Sequence, residues 1–337
     1  MKSLVLGGSA FIGRHLVEVL LDAGHDVTVL NRGTRPTIPS GVEQLVAERR
    51  DPGAVRAALA GRSWDAVFDV SGQVQVAPVD TVAALVDDLD GRCGVYVFVS
   101  SIAAYAIGDG SFPWTEDRPL SQSKPTGYGG HKAAVERLLA ERHDRTGFPV
   151  VVVRPAAVYG PDDNIPDGEI AMFLRLTQRR PVLVPHEGLV TFNYGHVDDL
   201  ARALLAAATV PAAVGGAFNV TADAVTALHY VRTIGEIVGV EPDVCLIPDS
   251  ALAGIGQPPP FNHRFQKVLH SVLSTQRARD VLGVAPRYDF AAGHRQTYEW
   301  FLDQGPDRFT GSTADPVWGV SWDFEREARI AAGLRGV

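Results

Sequence analysis

Tyr128 and Lys132, in the segment "YGGHK", stand four residues apart, the spacing that stacks two side chains on one helix face. An ammonium beside a phenol favours the phenolate, lowering a pKa that is about 10 in an unperturbed tyrosine. Such a tyrosine can exchange a proton with an alcohol or carbonyl while a hydride moves to or from a nicotinamide. Upstream, "VYVFVSSIAAY" ends a buried run in Ser100 and Ser101. A hydroxyl there could bond the same substrate oxygen; the plainer alternative is that these serines only cap the strand end. Tyr-x-x-x-Lys pairs are frequent by chance, so this one gains meaning only from its surroundings.

The N-terminal segment "LVLGGSAFIGRHL" supplies them. Gly7, Gly8 and Gly13 lie between an expected strand and an expected helix. Glycines there allow a tight turn, close approach of backbone to a pyrophosphate, and close packing of helix on strand. Ala10 stands at the central position, and its methyl is tolerable if its φ stays negative. The bland alternative is a turn that holds no ligand. The next strand ends in Asn31-Arg32-Gly33-Thr34-Arg35. An NAD site usually presents a carboxylate there for the ribose 2′-hydroxyl. Two guanidinium groups and no carboxylate fit a 2′-phosphate better. This favours NADP, with NAD as the alternative and solvated loop cations as the plain reading.

These residues need a scaffold, and the chain offers one. Runs at 4–6, 27–30, 42–46, 66–70, 95–99 and 150–153 are apolar on both faces, as buried parallel strands require. Amphipathic stretches at 13–23, 52–60, 78–88 and 128–145 alternate with them, and Asp51-Pro52 is a sound helix start. The alternation predicts an α/β fold with a doubly wound parallel sheet of the Rossmann type over 1–160. Residues 196–225 are expected to return to the sheet. A smaller substrate lobe is expected from 161–195 and 226–303, followed by a tail, 304–337, whose role is not readable.

Composition narrows the class. The chain has 337 residues, a formal charge of −8 and two cysteines, Cys93 and Cys245. The charge argues against nucleic acid or an anionic membrane as partner, and two cysteines make no disulfide framework. No apolar run reaches the roughly 20 residues of a membrane span, and the N-terminus carries no signal or transit pattern. A soluble cytoplasmic protein is expected. Neither HExxH nor CxxC spacing nor a G-x-S-x-G elbow occurs, so no metal site or serine nucleophile is expected.

The ordered set of glycine turn, "VFVSSIAAY", "YGGHK", "VVVRPAAVYGP", "HVDDLARAL", "GGAFNVT" and a closing "STQRARDVLGVAPRYDFAAGHRQTYEWF" resembles the extended short-chain dehydrogenases/reductases, the NAD(P)-dependent epimerase/dehydratase family. The resemblance covers roughly residues 2–303. It implies that Tyr128 is the general acid/base, that Lys132 orients the cofactor ribose, that Ser101 takes the catalytic Ser/Thr position, and that Arg154, Pro155 and Ala156 lie by the nicotinamide. The expected cofactor contacts are Gly7, Gly8, Ser9, Ala10, Phe11, Ile12, Gly13, Asn31, Arg32, Arg35, Ser71, Gly72, Ser100, Lys132, Pro155, Ala156 and Val158. A homodimer is expected by analogy alone.

Several positions depart from the family pattern. Where an acidic adenine contact is common, this chain reads Glu48-Arg49-Arg50-Asp51, and either Glu48 or Asp51 could serve. His131, where a small residue is common, is expected to be an exposed helix histidine. His196, Asp198 and Asp199 are assigned to capping and packing. Phe192 occupies the position aligned with the arginine that meets the diphosphate of nucleotide sugars. With Phe112, Trp114 and Tyr194 it would line an apolar or mixed substrate pocket. Arg175, Arg179 or Arg264 could still supply that charge. The expected function is therefore an NADP(H)-dependent oxidoreductase on a small carbonyl or secondary alcohol. An epimerase or dehydratase with retained cofactor is the alternative, and a non-catalytic NADP-binding or RNA-associated protein is the alternative of another class.

Overall fold

A computed structural model describes all residues except 35–37, 71–74, 109–110, 166, 266–269, 311–321 and 337. Six strands alternate with four helices from the N-terminus. They are β1 (Lys2–Leu6), α1 (Phe11–Asp22), β2 (Asp26–Asn31), β3 (Glu43–Val46), α2 (Pro52–Ala58), β4 (Trp64–Asp69), α3 (Val79–Leu89), β5 (Cys93–Val99), α4 (Tyr128–Thr146) and β6 (Val150–Pro155). With the strand Ala217–Val220 they form a seven-stranded sheet, parallel throughout, in which the order from that strand is β6, β5, β4, β1, β2, β3. The order reverses between β4 and β2 on either side of β1, as in doubly wound sheets.

Local chemistry explains these elements. β5 and β6 are Val-rich and almost wholly buried, because helices cover both faces of such a sheet. Asp51 caps α2 by accepting from Ala54 N at 3.1 Å, with Pro52 in the first helical turn. α4 stops at Gly147, whose φ of 73° ends it in the left-handed conformation. α1 packs on the helix Val197–Thr209, and His15 and Asp198 lock the two at 2.6 Å.

The chain divides into two compact units. The first holds residues 1–156, 197–221 and 273–285; the second holds 157–196, 222–272 and 286–337. Two features differ from the expectation. Residues 273–285 belong with the sheet, where Trp114 bridges Leu273 and Asn219 Nδ2 donates to the Ser274 carbonyl at 3.2 Å. The described part of the tail belongs to the second unit. Its helix Phe324–Arg335 buries Glu327, which accepts two 2.8 Å hydrogen bonds from the buried Arg175. That second unit contains one three-stranded and one two-stranded sheet and a core of Tyr159, Tyr194, Tyr230, Phe290 and His294. Among the described residues no helix is long and apolar enough to cross a membrane.

Candidate active site

The glycine turn sits at the carboxyl end of β1. Gly7, Gly8, Ser9 and Ala10 make the turn, and Phe11, Ile12 and Gly13 open α1. A Cβ on Gly13 would lie 2.1 Å from the Gly7 carbonyl oxygen, so only glycine lets helix and turn approach this closely. Ala10 has φ −153°, the negative value its methyl requires, and the left-handed position falls instead on Phe11 at φ 40°. No side chain caps α1 and no acidic residue occupies its first turn. Its leading amides are thus open to an anion, and the cradle fits a dinucleotide pyrophosphate.

At the end of β2, Asn31 ties the turn to its neighbours. Its Nδ2 donates to Ser9 Oγ at 3.0 Å, while its Oδ1 accepts from Gly33 N and Gln44 Nε2, both at 2.8 Å. Arg32 follows, exposed. Arg35, Ser71 and Gly72 lie outside the described residues. The two acidic candidates for an adenine contact have local duties, since Asp51 caps α2 and Glu48 accepts from Arg50 N at 3.2 Å.

Ser101 follows β5 and caps a short 3-10 turn, Ile102–Ala104, by accepting from Ala103 N at 3.1 Å. α4 begins at Tyr128 against that turn. A Cβ on Gly129 would lie 2.3 Å from the Ala103 carbonyl oxygen, so a glycine there lets the start of α4 approach the turn that follows Ser101. Tyr128 is 46% exposed. Partial burial pushes its phenol above the usual value, and a hydrogen bond from Ser101 acts the other way. The expectation that Lys132 lowers this phenol is not met: Lys132 Nζ, 5.8 Å from the Tyr128 ring centroid, donates to the Val99 carbonyl at 2.6 Å. Lys132 is itself buried. Burial drives its ammonium down to about 8, opposed by the charges of Asp69 and then Glu136.

The neighbouring serine has a different partner. Ser100 donates to Glu136, which also receives Arg154 Nη2 at 2.6 Å and Nε at 3.0 Å. Arg154 continues to the Tyr105 hydroxyl at 2.9 Å and the Glu116 carbonyl at 3.0 Å, and Tyr105 donates to Asn219 at 2.7 Å. The Arg154 guanidinium thus belongs to a buried network, while Pro155 ends β6 and Ala156 follows it half-buried. Glu136 was legible in principle, because it stands one helical turn beyond Lys132. His131 corrects the expectation of an exposed residue: it is wholly buried, and neither ring nitrogen has a hydrogen-bond partner among the described residues.

Of the substrate candidates, Phe112 is 49% exposed and stacks on Trp114 at 6.0 Å, with the Arg118 guanidinium 4.2 Å from the Trp114 ring centroid. In the second unit the expected cofactor contact Val158 is buried, as are the substrate candidates Phe192 and Tyr194. Phe192, Tyr194 and Arg264 line one small cavity there. Arg264 is bound to Glu169 Oε2 at 2.6 Å and Asp163 Oδ2 at 3.3 Å, whereas Arg179 is exposed. His196 is buried against Tyr288, ring centroids 4.1 Å apart. No group of His, Cys, Asp and Glu suited to a metal ion occurs among the described residues.

The sequence matches the NAD dependent epimerase/dehydratase family over residues 3–221. It is 28% identical to the chloroplast stem-loop binding protein of 41 kDa b of Arabidopsis thaliana, over 91% of this chain and 80% of that one. It is 31% identical to the 2-alkyl-3-oxoalkanoate reductase of Stenotrophomonas maltophilia, over 49% of this chain and 53% of that one. Among solved structures, the UDP-glucose 4-epimerase of Thermotoga maritima superimposes with a TM-score of 0.76 at 23% identity, covering 90% of this chain and 99% of that one. A parallel sheet in doubly wound order, a glycine turn on its first strand and a Ser-Tyr-Lys set beyond its fifth accord with this match, and the chain belongs to the NAD dependent epimerase/dehydratase family.

Proposed function

We propose that this protein is an NADP(H)-dependent oxidoreductase acting on a small carbonyl or secondary alcohol, and that a nucleotide diphosphate sugar is not its substrate. The observation that carries the second part is the state of the two buried candidate arginines of the second unit, Arg175 and Arg264; the third, Arg179, is exposed. A diphosphate taken from water needs cationic partners. Arg175 is already matched by Glu327 and Asp167, and Arg264 by Glu169 and Asp163, in pairs that are almost completely buried. Phe192 brings no charge. The name of the Stenotrophomonas reductase adds support for a reductase.

The cradle of Gly7–Gly13 would hold the pyrophosphate, and Arg32 would meet the 2′-phosphate. The nicotinamide, when bound, supplies or accepts the hydride. Lys132 would hold the ribose hydroxyls through its ammonium. Tyr128 gives its proton to the substrate oxygen in reduction and takes it back in oxidation, and Ser101 hydrogen-bonds the same oxygen.

An epimerase that retains its cofactor is the second reading, favoured by the fold match to the Thermotoga enzyme along nearly its whole length. An RNA-associated role, which the name of the Arabidopsis relative raises, is disfavoured by the charge of −8. Stoichiometric NADPH consumption against a panel of ketones and aldehydes tests the proposal, together with calorimetric titration of UDP and dTDP into the cofactor-loaded protein. Micromolar binding of either nucleotide would overturn it.

A further inference from the structure

Next to Lys132 the first unit buries a charged cluster that the proposed reaction does not use. Asp69 closes β4 with its side chain fully buried. Its Oδ2 accepts from Arg49 Nη2 at 2.8 Å and from the Tyr96 hydroxyl at 2.6 Å. These three residues come from the loop after β3, the end of β4 and the middle of β5, and all are buried. Burying such an ion pair commonly stabilises a fold no better than apolar packing would. The cluster therefore asks for another reason, and its position supplies one. Asp69 is the register partner of Phe98 across β4 and β5, and the Phe98 ring lies 4.7 Å from Lys132 Nζ.

The other groups around Lys132 are these. From α4, Glu136 is paired with Arg154 of β6 through hydrogen bonds at 2.6, 3.0 and 3.2 Å, as Asp69 is paired with Arg49. Burial and the Lys132 charge both push His131 down, so it is neutral. Burial and Asp69 push Tyr96 well up, so it serves as a neutral donor, and Tyr128 is likewise raised. Asp69 stays ionised: burial opposes its charge, but Arg49, the Tyr96 hydrogen bond and Lys132 together hold it below the usual carboxylate range. Of the two carboxylates, Asp69 acts more strongly on Lys132.

We propose that Asp69, fixed by Arg49 and Tyr96, is a positioning residue that keeps Lys132 an ammonium inside a buried site. This rests on the reading of Lys132 as the residue that would hold the cofactor ribose. Without the charge of Asp69, desolvation wins and the lysine becomes a neutral amine near pH 7, with no charge to hold a ribose hydroxyl.

The test is direct, because the chain has only four lysines, Lys2, Lys124, Lys132 and Lys267. In protein labelled with ¹³Cε-lysine, the Lys132 resonance is assigned by its absence in Lys132→Arg. It should titrate near pH 8, against about 10.4 for an unperturbed lysine. In Asp69→Asn the midpoint should fall by at least about one pH unit. Should Arg49, left unpaired, prevent folding, Arg49→Met/Asp69→Asn removes both charges and should shift the midpoint the same way. Tyr96→Phe loosens the cluster but keeps its charge, and should leave the midpoint within a few tenths. An unmoved Lys132 midpoint in the folded Asp69 variants overturns the proposal, as does an equal shift in Tyr96→Phe. Neither outcome touches the oxidoreductase reading, which fails separately if the wild-type protein consumes no NADPH.

Discussion

Replacing Arg32 by alanine should convert a preference for NADPH into near indifference. The structure sets the size of the effect. Asn31 is committed to Ser9, Gly33 and Gln44, so it cannot reorganise to take over a phosphate. Arg32 is exposed, and among the described residues no carboxylate competes for its guanidinium. A hydrogen bond to a charged group contributes about 1.5–3 kcal/mol. Solvent screening argues for the lower part of that range, about 1.5–2 kcal/mol, which corresponds to roughly 10–30-fold in Kd. NADH lacks the phosphate, so its Kd should change by less than about twofold. Fluorescence titration of both cofactors against both proteins reads this directly, and the wild-type preference should shrink as salt rises. Equal losses for the two cofactors, or a wild-type protein that prefers NADH, would refute the argument that the β2 end reads a 2′-phosphate.

Other perturbations separate chemistry from scaffold. Tyr128→Phe should leave NADPH affinity nearly intact while lowering turnover by about 10²–10⁴-fold, and unchanged turnover would remove Tyr128 from the reaction. Glu136→Ala leaves the Arg154 guanidinium buried without its carboxylate and should cost about 3–5 kcal/mol in urea unfolding. The double variant Glu136→Leu/Arg154→Met should regain most of that; equal losses in both would show that the stranded charge is not the cause. His131→Leu should be neutral or stabilise by about 1–2 kcal/mol, because it removes two buried nitrogens without partners. A clear loss of stability would mean that the imidazole has a role in packing that a leucine cannot fill.

What could be read from sequence was whatever local pattern determines. The two-faced apolar runs yield the strands, because a parallel strand buried on both sides has no polar face to mark it, except at 42–46, where β3 is an edge strand and largely exposed. Asp51-Pro52 yields the start of α2, because cap and ring act on the next turn alone. Residues 273–285 were misplaced for the opposite reason: what holds them is Asn219 and Trp114, far away in the chain. The Asp69 cluster was invisible for the same cause, since Arg49 and Tyr96 stand 20 and 27 residues from Asp69. His131 was misread because a polar residue on a helix with charged neighbours is normally solvated, and only tertiary packing overrides that.

The two serines after β5 show where local reasoning could have gone further. Successive residues of an extended chain point to opposite sides. Ser100 and Ser101 therefore cannot both face Tyr128, and the structure gives Ser101 to Tyr128 and Ser100 to Glu136. Helical spacing completes the pattern, for Tyr128, Lys132 and Glu136 follow one another at four-residue intervals along α4. One stripe of this helix thus carries an exposed phenol, a buried ammonium and a buried carboxylate. The carboxylate end is closed by Arg154 and Ser100, the ammonium is held between the Val99 carbonyl and the Phe98 ring, and only the phenol meets solvent. Such a gradient from locked charge to open hydroxyl costs stability at its buried end. It is warranted where the open end must keep one orientation while protons come and go, which is what an acid/base tyrosine requires.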